Sequence, residues 1–484
     1  MDPSTRDKYE VVIGLEVHAQ LLTQSKIYAP DSTLFGERPN TNVSVISLAH
    51  PGTLPKLNKK VVELAIKMGL ACGSGISREQ IFDRKNYFYP DLPKGYQLTQ
   101  DRTPICVGGQ VVVQTEAGEE KSIPLNRVHI EEDAGKSIHT DGEGDTLVDL
   151  NRAGVPLIEI VTEPAIRSAA EAGSFLTEVR RLVRYLEICD GNMEEGSLRC
   201  DANVSVMPVG SKVYGKKVEI KNLNSIKNVQ KAIYAEVDRQ VALLEEGQEV
   251  LSETRLFNVD AGKTYAMRTK EELNDYRYFP DPDLSPLHIT EKWLEQIRDE
   301  MPRLPWEVYE TLTSKYGLPS YDAGVLTETK ALVVFFEEVC QHTDQYKAVS
   351  NWIMGPVKSY LNDKEEAKLP LEAGQLAGII KLVAGEKLSF SLASQELFPA
   401  LIHKPGLDPG VLAKELGLVQ DSNEDSIAEL IDQVLMDFPD KVKEYRSSKK
   451  AKGLIGMFMG ELMKRSKGKA DPKKANELLL TKLG

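Results

Sequence analysis

The sequence predicts an α+β protein whose sheet-dominated first part, residues 1–290, is followed by helices, and three observations carry that expectation. As far as about residue 290, short runs alternate apolar and polar residues between Gly, Pro and Asn punctuation, the pattern of strands and turns. Beyond Pro286 the apolar residues fall at three- and four-residue intervals in segments broken by Pro and Gly, the pattern of helices. The length, 484 residues, exceeds what one hydrophobic core organises, so two or three domains are expected.

In chain order, VVIGLEVHAQL (11–21) places Val11, Ile13, Leu15, Val17, Ala19 and Leu21 on one face of a strand and Glu16, His18 and Gln20 on the other. RVHIEEDAGK (127–136) repeats the pattern, with Val128 and Ile130 opposed to His129, Glu131 and Asp133. In SLRCDANVSV (197–206), Arg199, Asp201, Asn203 and Ser205 face away from an apolar side. KVEIKNLNS (217–225) aligns Lys217, Glu219 and Lys221. Two amphipathic helices interrupt these strands, at about 168–188 and 226–246. Helices are then expected over 289–302, 305–317, 321–341 and 346–362. They compose an all-α domain, 291–407, and DPGVLAKELG (408–417) opens a small α tail domain, 408–484.

The net charge of −13 is unevenly spread. From Lys441 to Gly484, 13 Lys and Arg stand against 4 Asp and Glu, a net of +9, which leaves −22 on the first 440 residues. An acidic body with a basic tail suits a chain with two tasks, the tail being the part able to meet phosphates. The tail helix GLIGMFMGELMKRSKGKADPKKANELL (453–479) packs Leu454, Met457, Phe458, Leu462 and Met463, and runs into the cations Lys464, Arg465, Lys467, Lys469, Lys473 and Lys474. Gly468 within that run would let backbone approach a phosphate chain. No apolar stretch approaches the ~20 residues of a spanning helix. The N-terminus is short and polar, so no membrane and a cytoplasmic location, or an organelle matrix, are expected. The five cysteines are scattered without a CxxC pair and read as buried free thiols.

No phosphate loop, dinucleotide fingerprint, HExxH, nucleophile elbow or protein-kinase set occurs. The polar strand faces are the better lead. A half-solvated antiparallel sheet produces the same alternation, but Glu, Asp, His, Arg and Asn recurring on four strands form the inventory of hard-cation ligands and phosphate clamps. Glu16 and Glu131 are the first metal ligands to expect, with His18 and His129 as softer donors or as substrate-orienting groups. Glu132 and Asp133 are further candidates to share that ligation with Glu131, and alternation alone does not settle which. Arg199 and Asp201 complete the candidate catalytic set, and Lys85, Lys94, Tyr87, Asn203 and Lys221 are candidates for holding a nucleotide. In DRKNYFYPDLPKGYQLTQ (83–100), Tyr87, Phe88 and Tyr89 among cations can stack on a base or ribose, or pack into the core, the expectation for Phe88. DYRYFPDPDLSP (275–286) partly echoes that loop, and the two are expected to rim a cleft.

GLEVHAQL (14–21), FDRKNYFYPDLPKGYQLTQ (82–100), HIEEDAGK (129–136), DLNRAGVPLIEIVTEP (149–164), GNMEEGSLRCDANVSV (191–206), EIKNLNS (219–225) and YRYFPDPDL (276–284) resemble the signature blocks of the B-subunit family of tRNA-dependent amidotransferases. The likeness spans essentially the whole chain. It implies a cradle-shaped, mostly antiparallel catalytic sheet with a Mg²⁺ site around Glu16, His18 and Glu131. It also implies ATP as phosphoryl donor, an amidase (A) subunit and a small C subunit as partners, and a misacylated tRNA as substrate, met by the tail at Lys464, Arg465, Lys467 and Lys469. Where some members carry a zinc-type CxxC, this chain has Ser44 and Ser47, which do not replace thiolates, so no zinc is expected. A tRNA-binding scaffold without chemistry is the alternative; carboxylates beside an RNA ligand argue against it.

Overall fold

The computed structural model describes residues 3–139, 145–269, 276–364, 369–419, 424–447, 451–466, 470 and 472–484. They belong to two compact units, Met1–Leu304 and Pro305–Gly484. The class is α+β, as the two periodicities require.

The first unit is built on a ten-stranded sheet. Its strands and those of a small companion sheet are β1 (Tyr9–Gln20), β2 (Gly75–Ile76), β3 (Asp83–Asn86), β4 (Tyr96–Thr99), β5 (Cys106–Val107), β6 (Gln110–Gln114), β7 (Glu120–Glu132), β8 (Pro156–Thr162), β9 (Leu198–Pro208), β10 (Val218–Lys221), β11 (Glu253–Asn258), β12 (Lys263–Thr269) and β13 (Arg277–Pro280). The large sheet runs β12-β11-β10-β9-β1-β8-β7-β5-β2, with β6 also on β7. Among the described residues, only the β10–β11 pairing is parallel. The companion sheet is β13-β3-β4, so the two echoed aromatic segments become paired strands, Tyr278 opposite Lys85 and Arg277 opposite Asn86.

The apolar face of the large sheet is covered by three helices, α1 (Lys59–Ala71), α2 (Ala169–Tyr185) and α3 (Ile226–Glu245). Ile13, Leu15, Val17, Ala19, Val128, Ile130, Ala202 and Val204 are buried there with Val62, Ile66, Phe175, Val179, Ile233 and Val237 from the helices. Burying each such side chain contributes about 1.5–3 kcal/mol, so the alternation, not any single contact, dictates which face points outward. α2 and α3 start at serines whose hydroxyls accept from the third helical N–H: Ser168 from Glu171 at 3.1 Å and Ser225 from Asn228 at 3.2 Å. α1 was not among the expected helices, although Val61, Val62, Leu64, Ala65, Ile66 and Met68 line one buried side of it. The helix Glu291–Asp299 adds Leu294 and Ile297 to the same core, which carries the first unit past residue 290 to Leu304.

In the second unit the expected helix 321–341 is two, Ser320–Leu326 and Lys330–Cys340, because Thr329 leaves helical geometry and caps the latter. The segment 346–362 is helical from Tyr346 to Lys364 but passes through a π turn at Ile353–Val357, where Pro356 cannot donate a backbone hydrogen bond. Phe458 and Leu462 of the basic-tail helix pack with Ile427, Ile431, Val434 and Leu479 in a separate small core. Of the free cysteines, Cys72, Cys106, Cys189 and Cys200 are buried and Cys340 is half-buried. Among the described residues, no helix is long and apolar enough to cross a membrane.

Candidate active site

The uncovered face of the large sheet gathers its polar side chains by register. β1 is paired on both sides over Glu16 to Ala19, so Glu16 and His18 each have a neighbour left and right. His18 stands opposite Glu159 of β8 and Arg199 of β9, and Glu159 in turn opposite His129 of β7. Two residues along, Glu16 stands opposite Asp201. One further step along β9 places Asn203 opposite Glu219 of β10. Cross-strand neighbours on one face lie ~4.5–5.5 Å apart at Cβ, so the pairing alone assembles the site.

Two clusters result. In the first, His129, Glu131 and Glu159 each offer a ligand atom, all within 4.8 Å of one another. His129 Nε2 is 3.2 Å from Glu159 and 3.6 Å from Glu131, while His18 Nε2 approaches Glu159 at 3.6 Å from the other side. Thr99 donates to Glu131 at 2.9 Å and Lys85 Nζ lies 3.7 Å from it. In the second, Glu16, Asp201 and Glu219 meet the same criterion. Asn203 donates to Glu16 at 2.9 Å, Thr254 to Glu219 at 2.9 Å, and Lys221 bridges Asp201 (2.5 Å) and Glu219 (2.9 Å).

The electrostatics differ between the two. Burial depresses His129, but Glu159 and Glu131 outweigh it and raise its pKa to about 9. His18 is raised in the same way, burial opposing and Glu159 prevailing. Glu159, despite its burial, is held well below the carboxylate range by His129 and His18. Glu131 is lowered, with burial opposed by Lys85 and His129. Glu16 is instead pushed up, first by burial and then by Glu159, Glu219 and Asp201. The second cluster thus holds more negative charge than Lys221 balances, and the first sets His129 Nε2 beside two carboxylates. Both features fit a divalent cation. The all-oxygen set Glu16, Asp201 and Glu219 suits Mg²⁺, and the His-containing set also admits softer metals.

The expected residues divide accordingly. Glu16 and Glu131, joined around one ion in the sequence reading, fall in separate clusters. Glu132 points to the opposite side, accepting from the Leu98 N–H at 2.8 Å and pairing with Lys94. Asp133 is taken by Arg199 (2.9 Å) and Gln20 (2.7 Å). Lys94 therefore lines a separate cavity of about 240 Å³, with Lys26, Tyr28, His50 and Glu132, rather than the clusters. The Tyr87 hydroxyl donates to Gln97 at 2.7 Å. Phe88, expected in the core, is 92% exposed in the β3–β4 connection, directly after the Tyr87 N–H that donates to the Gly95 carbonyl and before the turns closed by the Leu92 and Gly95 N–H groups. Glu159 and Glu219 were absent from the expected set. Glu159 was announced only as the lone carboxylate in the apolar run LIEIV, and Glu219 by alternation in a four-residue strand. Ser44 and Ser47 both donate to Asp31, Ser44 at 3.0 Å. In the tail, Lys464 is exposed, and Arg465 is paired with Asp437 at 2.7 Å and Glu461 at 3.2 Å. Lys467, Gly468 and Lys469 lie outside the described residues.

Known proteins are similar to this chain along nearly its whole length. The family model for the GatB/GatE catalytic domain matches residues 11–295, which include both clusters, and that for the GatB domain matches 334–483. The chain is 48% identical over 479 residues to the B subunit of the aspartyl/glutamyl-tRNA(Asn/Gln) amidotransferase of Alkalilimnicola ehrlichii, covering 98% of this chain and 99% of that one. The corresponding protein of Halorhodospira halophila is 47% identical over the same shares, and that of Geobacter sp. is 48% identical over 98% of this chain and 99% of its own.

Proposed function

The chain belongs to the GatB/GatE family, and from that membership we propose that it is the activating subunit of a tRNA-dependent amidotransferase. On this reading it uses ATP to phosphorylate the side-chain carboxylate of Glu on tRNA-Gln, of Asp on tRNA-Asn, or of both. A carboxylate is a poor electrophile. Its oxygen attacks the γ-phosphorus and ADP departs; ammonia from an amidase partner then attacks the acyl carbon, and phosphate leaves with the C–O electron pair. Phosphoryl transfer asks for positioning and positive charge rather than a covalent residue, which agrees with the absence of a nucleophile motif.

The observation that carries this reading is the pair of three-donor clusters on one sheet face, with Lys85 beside the first and Lys221 bridging two carboxylates of the second. Glu16, Asp201 and Glu219 would hold one Mg²⁺, and His129, Glu131 and Glu159 a second position, with His18 oriented by Glu159 beside it. Bound Mg²⁺ supplies neutralisation of the phosphate oxygens and a template for their alignment. Lys85 and Lys221 remain cationic, since burial is outweighed at both by adjacent carboxylates, so they offer fixed positive charge to a phosphate. Arg199, raised against burial by Asp133, does the same at the opposite edge. Asn203 positions Glu16, and Tyr87 forms part of the wall beside Lys85. The 408–484 tail, through Lys464 and its neighbours, meets the tRNA, and a small C subunit completes the complex.

Turnover of [γ-³²P]ATP by the assembled complex on Glu-tRNA-Gln, with no amide donor present, tests this. Phosphate release that requires the misacylated tRNA and disappears in Glu131→Gln is the expected result. Release that persists in the variant moves the ATP site to another chain and leaves this one a scaffold.

A further inference from the structure

Resting on the reading above, the Glu or Asp whose side chain reaches Glu131 is esterified through its α-carboxyl to the 3′-terminal adenosine of its tRNA, so that nucleotide lies on the surface bordering the first cluster. We propose that the β3–β4 hairpin, with Tyr276 just before β13, is the platform on which this terminal base stacks, and that Phe88 is its stacking residue. From Glu131 an unbroken line of contacts leads there. Lys85 Nζ is 3.7 Å from Glu131 and 5.1 Å from the centre of the Tyr276 ring. Tyr276 meets Tyr87 edge-on at 5.7 Å and Tyr278 at 6.4 Å. Phe88 follows Tyr87 directly, and no large apolar side chain among the described residues is more exposed; Tyr89 beside it is half-exposed.

The base of this hairpin is rigid. Tyr87 donates to Gln97, Gln97 Nε2 donates to the Glu132 carbonyl at 2.8 Å, and the Gly135 N–H donates to the Asp91 carbonyl at 2.9 Å. The hairpin is thus tied to the strand end that bears Glu131, so an aromatic ring directly after Tyr87 keeps its place relative to the cluster. Stacking on a ring face is indifferent to the rest of the sequence, which suits an end shared by every tRNA, and the exposed Arg277 borders the wall where the adjoining phosphate would run. A protein partner would also value an exposed Phe. Continuity with the cluster favours the nucleotide, because the ester links the two.

The test uses the complete complex and two uncharged competitor tRNAs, one ending in its terminal adenosine and one lacking it. In the unaltered complex the adenosine strengthens competition roughly tenfold. Phe88→Ala is expected to erase that advantage and to raise KM for misacylated tRNA by about the same factor at constant kcat, while Phe88→Trp keeps both. An undiminished adenosine advantage in Phe88→Ala overturns the proposal. So does loss of subunit co-elution in that variant, which would assign the ring to a subunit interface. Glu131→Gln separates this proposal from the activation reading: it is expected to keep the adenosine advantage, and normal amidation by it would sink the activation reading alone.

Discussion

Glu131 and Glu132 are consecutive, yet their carboxylates serve opposite sides of β7. Glu131 joins His129 and Glu159 on the open face, and Glu132 accepts from the Leu98 N–H and pairs with Lys94 on the other. A strand's two-residue period makes such neighbours chemically unrelated.

The same substitution at each should therefore fail differently. Glu131→Gln is expected to cut tRNA-dependent ATP turnover by roughly a hundred- to a thousandfold, with the thermal stability of the complex little changed. Glu132→Gln leaves Lys94 in a mostly buried setting without its counter-charge, a loss of roughly 3 kcal/mol. Denaturant unfolding beside single-turnover assays distinguishes the two, and equal effects on activity would contradict the division.

The two clusters should be separable by metal. Titration with Mn²⁺, followed by electron paramagnetic resonance, is expected to reveal two classes of site in the unaltered chain. Asp201→Asn or Glu219→Gln should remove one class and spare the other. A single class, lost equally with Glu16→Gln and with Glu159→Gln, would show that one ion spans both groups.

Acidity offers an independent check. With a folded pKa of about 9 against an ordinary 6.5, the His129 imidazolium stabilises the metal-free chain fully below pH 6.5, and that contribution disappears as pH rises to about 9. Cation binding that uses this histidine must displace its proton, so affinity at the first cluster should climb about tenfold per pH unit below 9. His129→Gln is expected to flatten both slopes; an unchanged pH profile would place the proton elsewhere.

Gly135 supplies a purely steric prediction. A Cβ there would meet the Asp91 carbonyl at 2.8 Å and the Asp149 carbonyl at 2.9 Å, both backbone atoms. Gly135→Ala is expected to cost about 2 kcal/mol through overpacking and to loosen the hairpin, read as faster hydrogen exchange over 87–95. Stability equal to the parent would mean that the strand end shifts without resistance.

Legibility in the sequence followed the strength of each local pattern. β1 and β9 alternate over most of their length, and Glu16, His18, Arg199, Asp201 and Asn203 all stand on the predicted face. The pairing between strands is not written in any one of them, which is why alternation alone puts Glu16 and Glu131 around one ion. Only the β1–β8–β7 register reveals Glu159 lying between His18 and His129. β8 is apolar on both faces apart from that residue and the terminal Thr162, so it gave no alternation to follow. Phe88 was misplaced for a different reason, since hydrophobicity records what burial would contribute and not where a turn aims a side chain.

β1 lies in the interior of the sheet with partners on both flanks, and Glu16 and His18 are two positions apart on it. Strand rise sets their separation at about 6.6 Å, independently of any rotamer. The strand therefore acts as a ruler whose gradations are residues. Inserting or deleting one residue between them would not adjust the gap but send one of the pair into the helices behind. The spacing between these two side chains can change only in whole steps, and every such step but the present one dismantles the site.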